Sequence, residues 1–230
     1  MGSSPTWPSK HKQRERLLRK SFLFWYDGLM QLNPTIEAYD KYAQLYDEEV
    51  VEFWENFPKN FIDKFVKSLP GGRVLNLGSG SGRDALLLRE RGLEVICLDA
   101  SRSMVELTTK LGFESHLATF SELDFPKGSF DGVWAYTSLI HIPKEEAKDT
   151  ISKIHTLMGS NGVFVMGAIE GETAGMVKRK TMPGTVRYFK NYTKDELREL
   201  IEPIGFSFIY TEDYKPHNNV YLNQFYVKVN

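Results

Sequence analysis

The 230-residue sequence predicts an α/β fold: a seven-stranded, mostly parallel sheet with helices on both faces and an antiparallel last strand. Two observations carry this expectation. From Arg73 onward, short apolar runs alternate with helical patterns, as in successive βαβ units. Near the C-terminus, two β-rich runs lie close enough to form an antiparallel pair.

Five runs read as parallel strands: "RVLNL" (73–77), "EVICL" (94–98), "ESHLA" (114–118), "DGVWA" (131–135) and "GVFVMG" (162–167). Each is short, apolar and bounded by Gly, Asp or Pro, as strands covered on both faces should be. Helices fit between them. Pro143 suits a first helical position, and "TKDE" (193–196) has the spacing of a capping box for a helix ending near Gly205. "FSFIYTEDY" and "VYLNQFYVKV", separated by the turn-like "KPHNN", complete the seven strands. Ahead of the sheet, Ile36 to Phe65 reads as helical. Tyr39, Tyr42 and Tyr46 share one face of it, either packing on the sheet or lining a pocket.

Composition fits a water-soluble globular chain, with 41% hydrophobic and 26% charged residues. No apolar run approaches the roughly 18 residues of a membrane span. The net charge of -1 is unevenly distributed: residues 1–20 carry six Lys/Arg against Glu15, a balance of +5, leaving 23 against 29, or -6, for residues 21–230. The basic stretch 10–20 is either a solvated helical face or a contact for nucleic acid or an anionic surface. The single cysteine, Cys97, excludes an intrachain disulfide and suits a reducing compartment. "MGSSPTWPSK" lacks the apolar core of a signal peptide, so a cytoplasmic location is expected.

"VLNLGSGSGRDALLL" (74–88) concentrates Gly78, Gly80 and Gly82 where the first strand hands over to a helix. In a parallel sheet this turn borders the ligand crevice at the strands' carboxyl ends. Glycine lets the backbone bend sharply and approach a ligand, while free N–H groups of the next helix face the same space. A nucleotide-like ligand is therefore expected. Gly80, Gly82 and Ala85 can be aligned to a dinucleotide G-x-G-x-x-A with Asp99 as the following acid, which would indicate a hydride-transferring dehydrogenase. The first glycine after the strand is Gly78, however, and the bulky Arg83 follows Gly82, which disfavours that spacing.

From about Tyr39 to Gly167 the chain resembles the class I, Rossmann-like S-adenosylmethionine-dependent methyltransferases of small-molecule type. "LNLGSGSGRDA" is similar to their first motif and "VICLDAS" to their second strand with its ribose-binding acid. "LDFPKGSFDGVWAYTSLIHIP" resembles the segment around their fourth strand, "LMGSNGVFVMG" their fifth, and "YDKYAQLYD" the tyrosine-bearing helix that caps the cofactor. The resemblance implies S-adenosyl-L-methionine as cofactor, S-adenosyl-L-homocysteine as product, and a single domain over 36–230. That domain has a helical cap at 36–66 and a substrate-side insertion at about 168–192, preceded by a basic arm at 1–35 that is helical or partly flexible.

Carried over residue by residue, Gly78, Ser79, Gly80 and Gly82 pass under the cofactor's methionine and ribose. Asp99 takes the ribose hydroxyls or, alternatively, caps the helix from Ser101. Ala100 and Met104 border the adenine, and Ala135 offers its backbone to the methionine end. Tyr46, Tyr39 and Phe120 are the candidates to face the sulfonium, and Phe120 alternatively stacks on the adenine beside Thr119. Asn76 stands where the family usually has an acid, and can meet the cofactor's ammonium only through a neutral carbonyl. Thr119 replaces another acid near the adenine amino group.

His141, beyond the fourth strand, is the expected general base, with a structural role as the alternative. Tyr39, Tyr136, Arg187 and Tyr188 are expected around the methyl acceptor, Arg187 holding a carboxylate or phosphate. The histidines do not cluster, so no metal site is expected. The expected activity is transfer of a methyl group to N or O of a small molecule by in-line displacement. The alternatives are an RNA or tRNA methyltransferase and a non-catalytic S-adenosylmethionine-binding protein. The sequence leaves the oligomeric state open.

Overall fold

The computed structural model describes residues 33–229. Residues 10–20, and all but the last three residues of the arm expected at 1–35, lie outside them.

The sheet has seven strands in the order β3-β2-β1-β4-β5-β9-β8. These are β1 (Arg73–Leu77), β2 (Glu94–Asp99), β3 (Glu114–Leu117), β4 (Phe130–Tyr136), β5 (Met158–Ile169), β8 (Phe206–Tyr214) and β9 (Tyr221–Lys228). β1 to β5 run parallel, whereas β9 inserts antiparallel between β5 and β8. All seven expected strands are present. Strand order reverses at β1, whose neighbours are β2 and β4, and this opens a crevice above the carboxyl ends of those strands.

The helices are α1 (Pro34–Glu49), α2 (Val51–Glu55), α3 (Lys59–Ser68), α4 (Arg83–Arg89), α5 (Arg102–Lys110), α6 (Lys144–Leu157) and α7 (Lys194–Ile201). The capping box of α7 forms, Thr193 Oγ1 accepting from Glu196 N at 3.1 Å and Glu196 Oε2 accepting from Thr193 N at 3.0 Å. Pro143 is the extended residue before α6, one position outside the helix expected to start with it.

The expected cap of 36–66 is not one continuous element. α1 kinks at Tyr42 (φ −116°, ψ 21°), the chain breaks at Val50, and extended Pro58 precedes α3. The break separates two jobs. α3 buries Phe61, Ile62 and Phe65 against the sheet, where they join Phe57, Trp134 and Phe225 in an aromatic core. α1 lies instead across the crevice. On the opposite face α6 and α7 bury Ile151, Ile154, Leu197 and Ile201 against β4 and β5.

Two short strands were not expected: β6 (Ala174–Val177) and β7 (Arg187–Lys190) pair as a separate antiparallel hairpin inside the 168–192 insertion. No helix among the described residues is long and apolar enough to cross a membrane.

Candidate active site

The crevice is built around the turn after β1. Gly78 and Gly80 sit in the left-handed region, at φ +71° and +51°. A Cβ on Gly78 would lie 2.3 Å from the Ser138 Cβ, so the turn and the loop after β4 approach each other as only glycine permits. Asp99 fixes the turn from the next strand: its Oδ2 accepts from Gly80 N at 2.8 Å and its Oδ1 from Ser101 N at 2.9 Å. The carboxylate thus supports the start of α5 and also borders the cavity, with further lone pairs on both oxygens.

α1 closes the opening. Asp40 Oδ1 accepts from Ser101 Oγ at 2.7 Å and from Ser103 N at 3.0 Å, tying the helix to the start of α5. Asp47 receives a bidentate pair from Arg83 at 2.7 and 2.8 Å, tying it to α4. Thr35 Oγ1 accepts from Tyr188 N at 2.9 Å, and the Tyr42 hydroxyl donates to Pro183 O at 2.6 Å, holding the insertion. The cavity beneath α1 measures about 870 Å³.

At one end stands a hydrogen-bonded chain. His141 Nδ1 lies 2.8 Å from the Tyr188 carbonyl, its Nε2 lies 2.8 Å from the Tyr39 hydroxyl, and Arg187 Nη1 donates to that hydroxyl at 3.0 Å. A carbonyl can only accept, so Nδ1 carries the proton and Nε2 is the acceptor for the Tyr39 O–H. Burial, reinforced by the charges of Arg187 and Arg179, pushes the imidazole down to about 4, so it is neutral at pH 7. Burial raises the Tyr39 phenol, with Arg187 opposing. Arg187 is 6% exposed and packs over the Tyr39 and Phe189 rings.

The expected site residues divide by position. Tyr39, Tyr46, Gly78, Gly80, Asp99 and Ala100 line the cavity. So do Met104, Thr119, Phe120, Tyr136 and His141. Ser79 borders a small recess of about 30 Å³ that shares Tyr46, Gly78, Gly80, Tyr136 and Thr137 with the main cavity. Of the three tyrosines expected on one face, Tyr39 and Tyr46 line the cavity and Tyr42 bonds the insertion, because the helix kinks at Tyr42.

Besides Ser79, five expected residues do not line the cavity. Gly82 (φ +82°) faces α5, where a Cβ would meet Thr108 at 2.9 Å. Ala135 is fully buried in β4. Arg187 and Tyr188 stand behind Tyr39 and His141. Asn76 is fully buried and donates from Nδ2 to Asp84 Oδ1 at 2.8 Å.

Lining residues that sequence reasoning missed include Glu146, Asp149, Thr150 and Lys153, spaced along one face of α6, and Ser138. Their spacing was the available signal. Thr137 is a further one: its φ of +51° is unusual for a β-branched residue and gives no trace in the sequence.

Glycines that leave room for a ligand, an acid one strand over and unpartnered buried hydroxyls on Ser79 and Ser138 suit an adenosyl amino acid. Fold and cavity together define the class I S-adenosylmethionine-dependent methyltransferases. Residues 74–162 match the family described as a methyltransferase domain. The chain is 23% identical over 181 residues to an uncharacterised methyltransferase of Staphylococcus carnosus, covering 76% of this chain and 84% of the relative. It is 28% identical over 129 residues to a sarcosine/dimethylglycine N-methyltransferase of Aphanothece halophytica, covering 52% and 46%. The structure of 1,6-didemethyltoxoflavin-N1-methyltransferase from Burkholderia thailandensis superposes with a TM-score of 0.64 at 20% identity, covering 99% of this chain and 94% of that one. The chain has the class I, Rossmann-like fold and is an S-adenosylmethionine-dependent methyltransferase.

Replacing Gly78 by Ala forces a Cβ into Ser138 at a left-handed residue, so the variant should lose most of its affinity for S-adenosylhomocysteine in calorimetry. Gly80→Ala meets only the edge of Tyr46 at 3.5 Å and should be milder, carrying the roughly 1–2 kcal/mol cost of the left-handed conformation.

Protonation should also leave a mark on stability. Burial raises Asp84 and Asp99 from 3.8 to about 6, so between those values the folded chain binds more protons than the unfolded one. Their contribution is fully present below about 4 and lost as pH rises through about 6. His141, lowered from 6.5 to about 4, acts oppositely: its contribution is present above 6.5 and lost as pH falls through about 4. On acidification from neutral pH towards 5, the ligand-free protein should therefore gain stability relative to an Asp84→Asn, Asp99→Asn double variant. Chemical denaturation at a series of pH values reads the difference.

Proposed function

We propose that this methyltransferase transfers a methyl group to N or O of a small molecule bound in the same cavity as its cofactor. The observation carrying this is the cavity under α1, which is tied to α4, α5 and the insertion and covers about 870 Å³ for cofactor and acceptor together. Such a volume suits two small ligands. The similar 1,6-didemethyltoxoflavin-N1-methyltransferase of Burkholderia thailandensis, which binds 1,6-didemethyltoxoflavin, supports an acceptor of that size.

In this reading Gly78, Ser79 and Gly80 run beneath the cofactor. Asp99 takes its ribose hydroxyls, Met104 and Phe120 sandwich its adenine, and Thr119 faces the adenine edge. Tyr46 and Tyr136 wall the methyl-donor end. The cofactor supplies a methyl group already activated by positive sulfur. What remains for the chain is to hold the acceptor in line, keep water out and accept a proton.

The proton's destination is His141 Nε2, reached through the Tyr39 hydroxyl. As the acceptor's proton moves to Tyr39 Oη, the phenol's own proton moves to Nε2, and Arg187 steadies the negative charge on the oxygen between the two transfers. An imidazole held at about 4 is a weak base, so the acceptor suited to it has an acidic proton: a ring N–H, a phenol or a carboxyl group. Arg187 then acts on an anionic acceptor through Tyr39.

His141→Ala should lower turnover by about a hundredfold or more while leaving the dissociation constant for S-adenosylhomocysteine unchanged. Unchanged turnover removes the proposed role. The acceptor class is tested by incubating the enzyme and methyl-labelled cofactor with fractionated metabolites and with RNA, side by side. Label is expected in small, acidic N–H or O–H compounds, and label confined to RNA overturns the proposal.

A further inference from the structure

Asp84 is a buried carboxylate that the mechanism above leaves unused. It is 5% exposed at the start of α4, and three N–H groups converge on it: Asn76 Nδ2 at 2.8 Å, Ala85 N at 2.9 Å and Trp134 Nε1 at 3.0 Å. No Lys, Arg or His of the described residues forms an ion pair with it, and its neighbour Arg83 is engaged with Asp47. Dipoles hold the charge in place without neutralising it. A carboxylate so placed is costly to bury unless an opposite charge arrives.

Asp84 also faces open space. It borders the recess of about 30 Å³ with Gly78, Ser79, Gly80, Tyr136 and Thr137. Next to it, the Asn76 Oδ1 is buried without a partner among the described residues. An ammonium group in that recess would meet the Asp84 carboxylate beside the backbone of the glycine turn.

We infer that Asp84, supported by Asn76 and Trp134, is the counter-charge for the α-ammonium of the cofactor's methionine portion. This assignment gives the asparagine at position 76 a reason. With Asp84 2.8 Å from its side chain, an acid there would set two carboxylates against each other in a buried site, whereas the amide donates. The negative charge stands eight residues further along the chain, in the first turn of α4 rather than on β1.

Burial raises Asp84 to about 6 in the free protein, as expected of an anion waiting for its cation. The titratable groups whose fields it reaches are Tyr46 on α1, Cys97 on β2 and Tyr136 on β4. All are pushed upward and neutral near pH 6. Asp99 titrates in the same range and has to be separated experimentally.

The test compares S-adenosylhomocysteine with S-adenosyl-4-thiobutanoate, the same molecule without its amino group, by calorimetry. The inference depends on the proposed seating of the cofactor along Gly78 to Gly80, and the pair of ligands tells the two apart. In the native protein the amino-bearing ligand should bind more tightly. In Asp84→Asn its affinity should fall about thirtyfold or more while the desamino ligand binds as before. Equal losses for both ligands, or no loss for either, overturn the assignment. Failure of both to bind the native protein overturns the seating, and the assignment with it.

A second measurement needs no variant. Near pH 6, binding in two buffers of different ionisation enthalpy should show more proton release with S-adenosylhomocysteine than with its desamino analogue, because the ammonium pulls the Asp84 carboxyl down. Both ligands present the same ribose to Asp99, so its contribution subtracts out. Equal proton release contradicts the assignment even where Asp84→Asn folds poorly.

Discussion

One constraint governs this molecule: the backbone of Gly78 and Gly80 must pass between Asp99 on one side and Ser138 on the other with no side chain in the way. Sheet topology creates the gap, since β1 is where strand order reverses, between β2 and β4. The N–H groups of the turn are held by β2: Gly78 N and Ser79 N donate to the Leu98 carbonyl at 2.8 and 3.0 Å, and Gly80 N donates to the Asp99 carboxylate at 2.8 Å. Everything placed above the turn, including α1 and the cavity beneath it, takes its position from this arrangement.

Closure of the cavity is a second layer with a different physical basis. The attachments of α1 are polar, pairing Asp40 with the cap of α5, Asp47 with Arg83 and Thr35 with the insertion. α3 is held by apolar burial of Phe61, Ile62 and Phe65. Partly exposed polar ties are individually weak, whereas burying several aromatic side chains is worth many kcal/mol. The break at Val50 lies between the two kinds of attachment.

The sequence made the sheet legible because its strands are apolar runs between strong turn signals, as at "RVLNL" before Gly78 and "EVICL" before Asp99. It hid the β6–β7 hairpin because "AGMV" and "RYFK" have too little alternation to read as strands. Their pairing comes from packing against α1 and the turn at His141. Tyr39, Tyr46 and His141 could be picked out because their motifs are local. Arg187 was expected beside the acceptor, but the fold sets it behind Tyr39, where its side chain stacks on two aromatic rings. Asp84 was overlooked for the opposite reason: an acid in the first turn of a helix is what helix electrostatics favour anyway.

The buried charges form a pattern that no single residue discloses. Asp84 and Asp99 flank the glycine turn on the cofactor side, while Arg187, with Arg179 nearby, stands at the far end behind Tyr39 and His141. Glu146, Asp149 and Lys153 of α6 line the same cavity. In the proposed reading a cationic methyl donor suits the acidic end, and an acidic acceptor suits the end where Arg187 acts through Tyr39. Methyl transfer removes the sulfonium charge and leaves the ammonium, so the product would keep its pairing with Asp84.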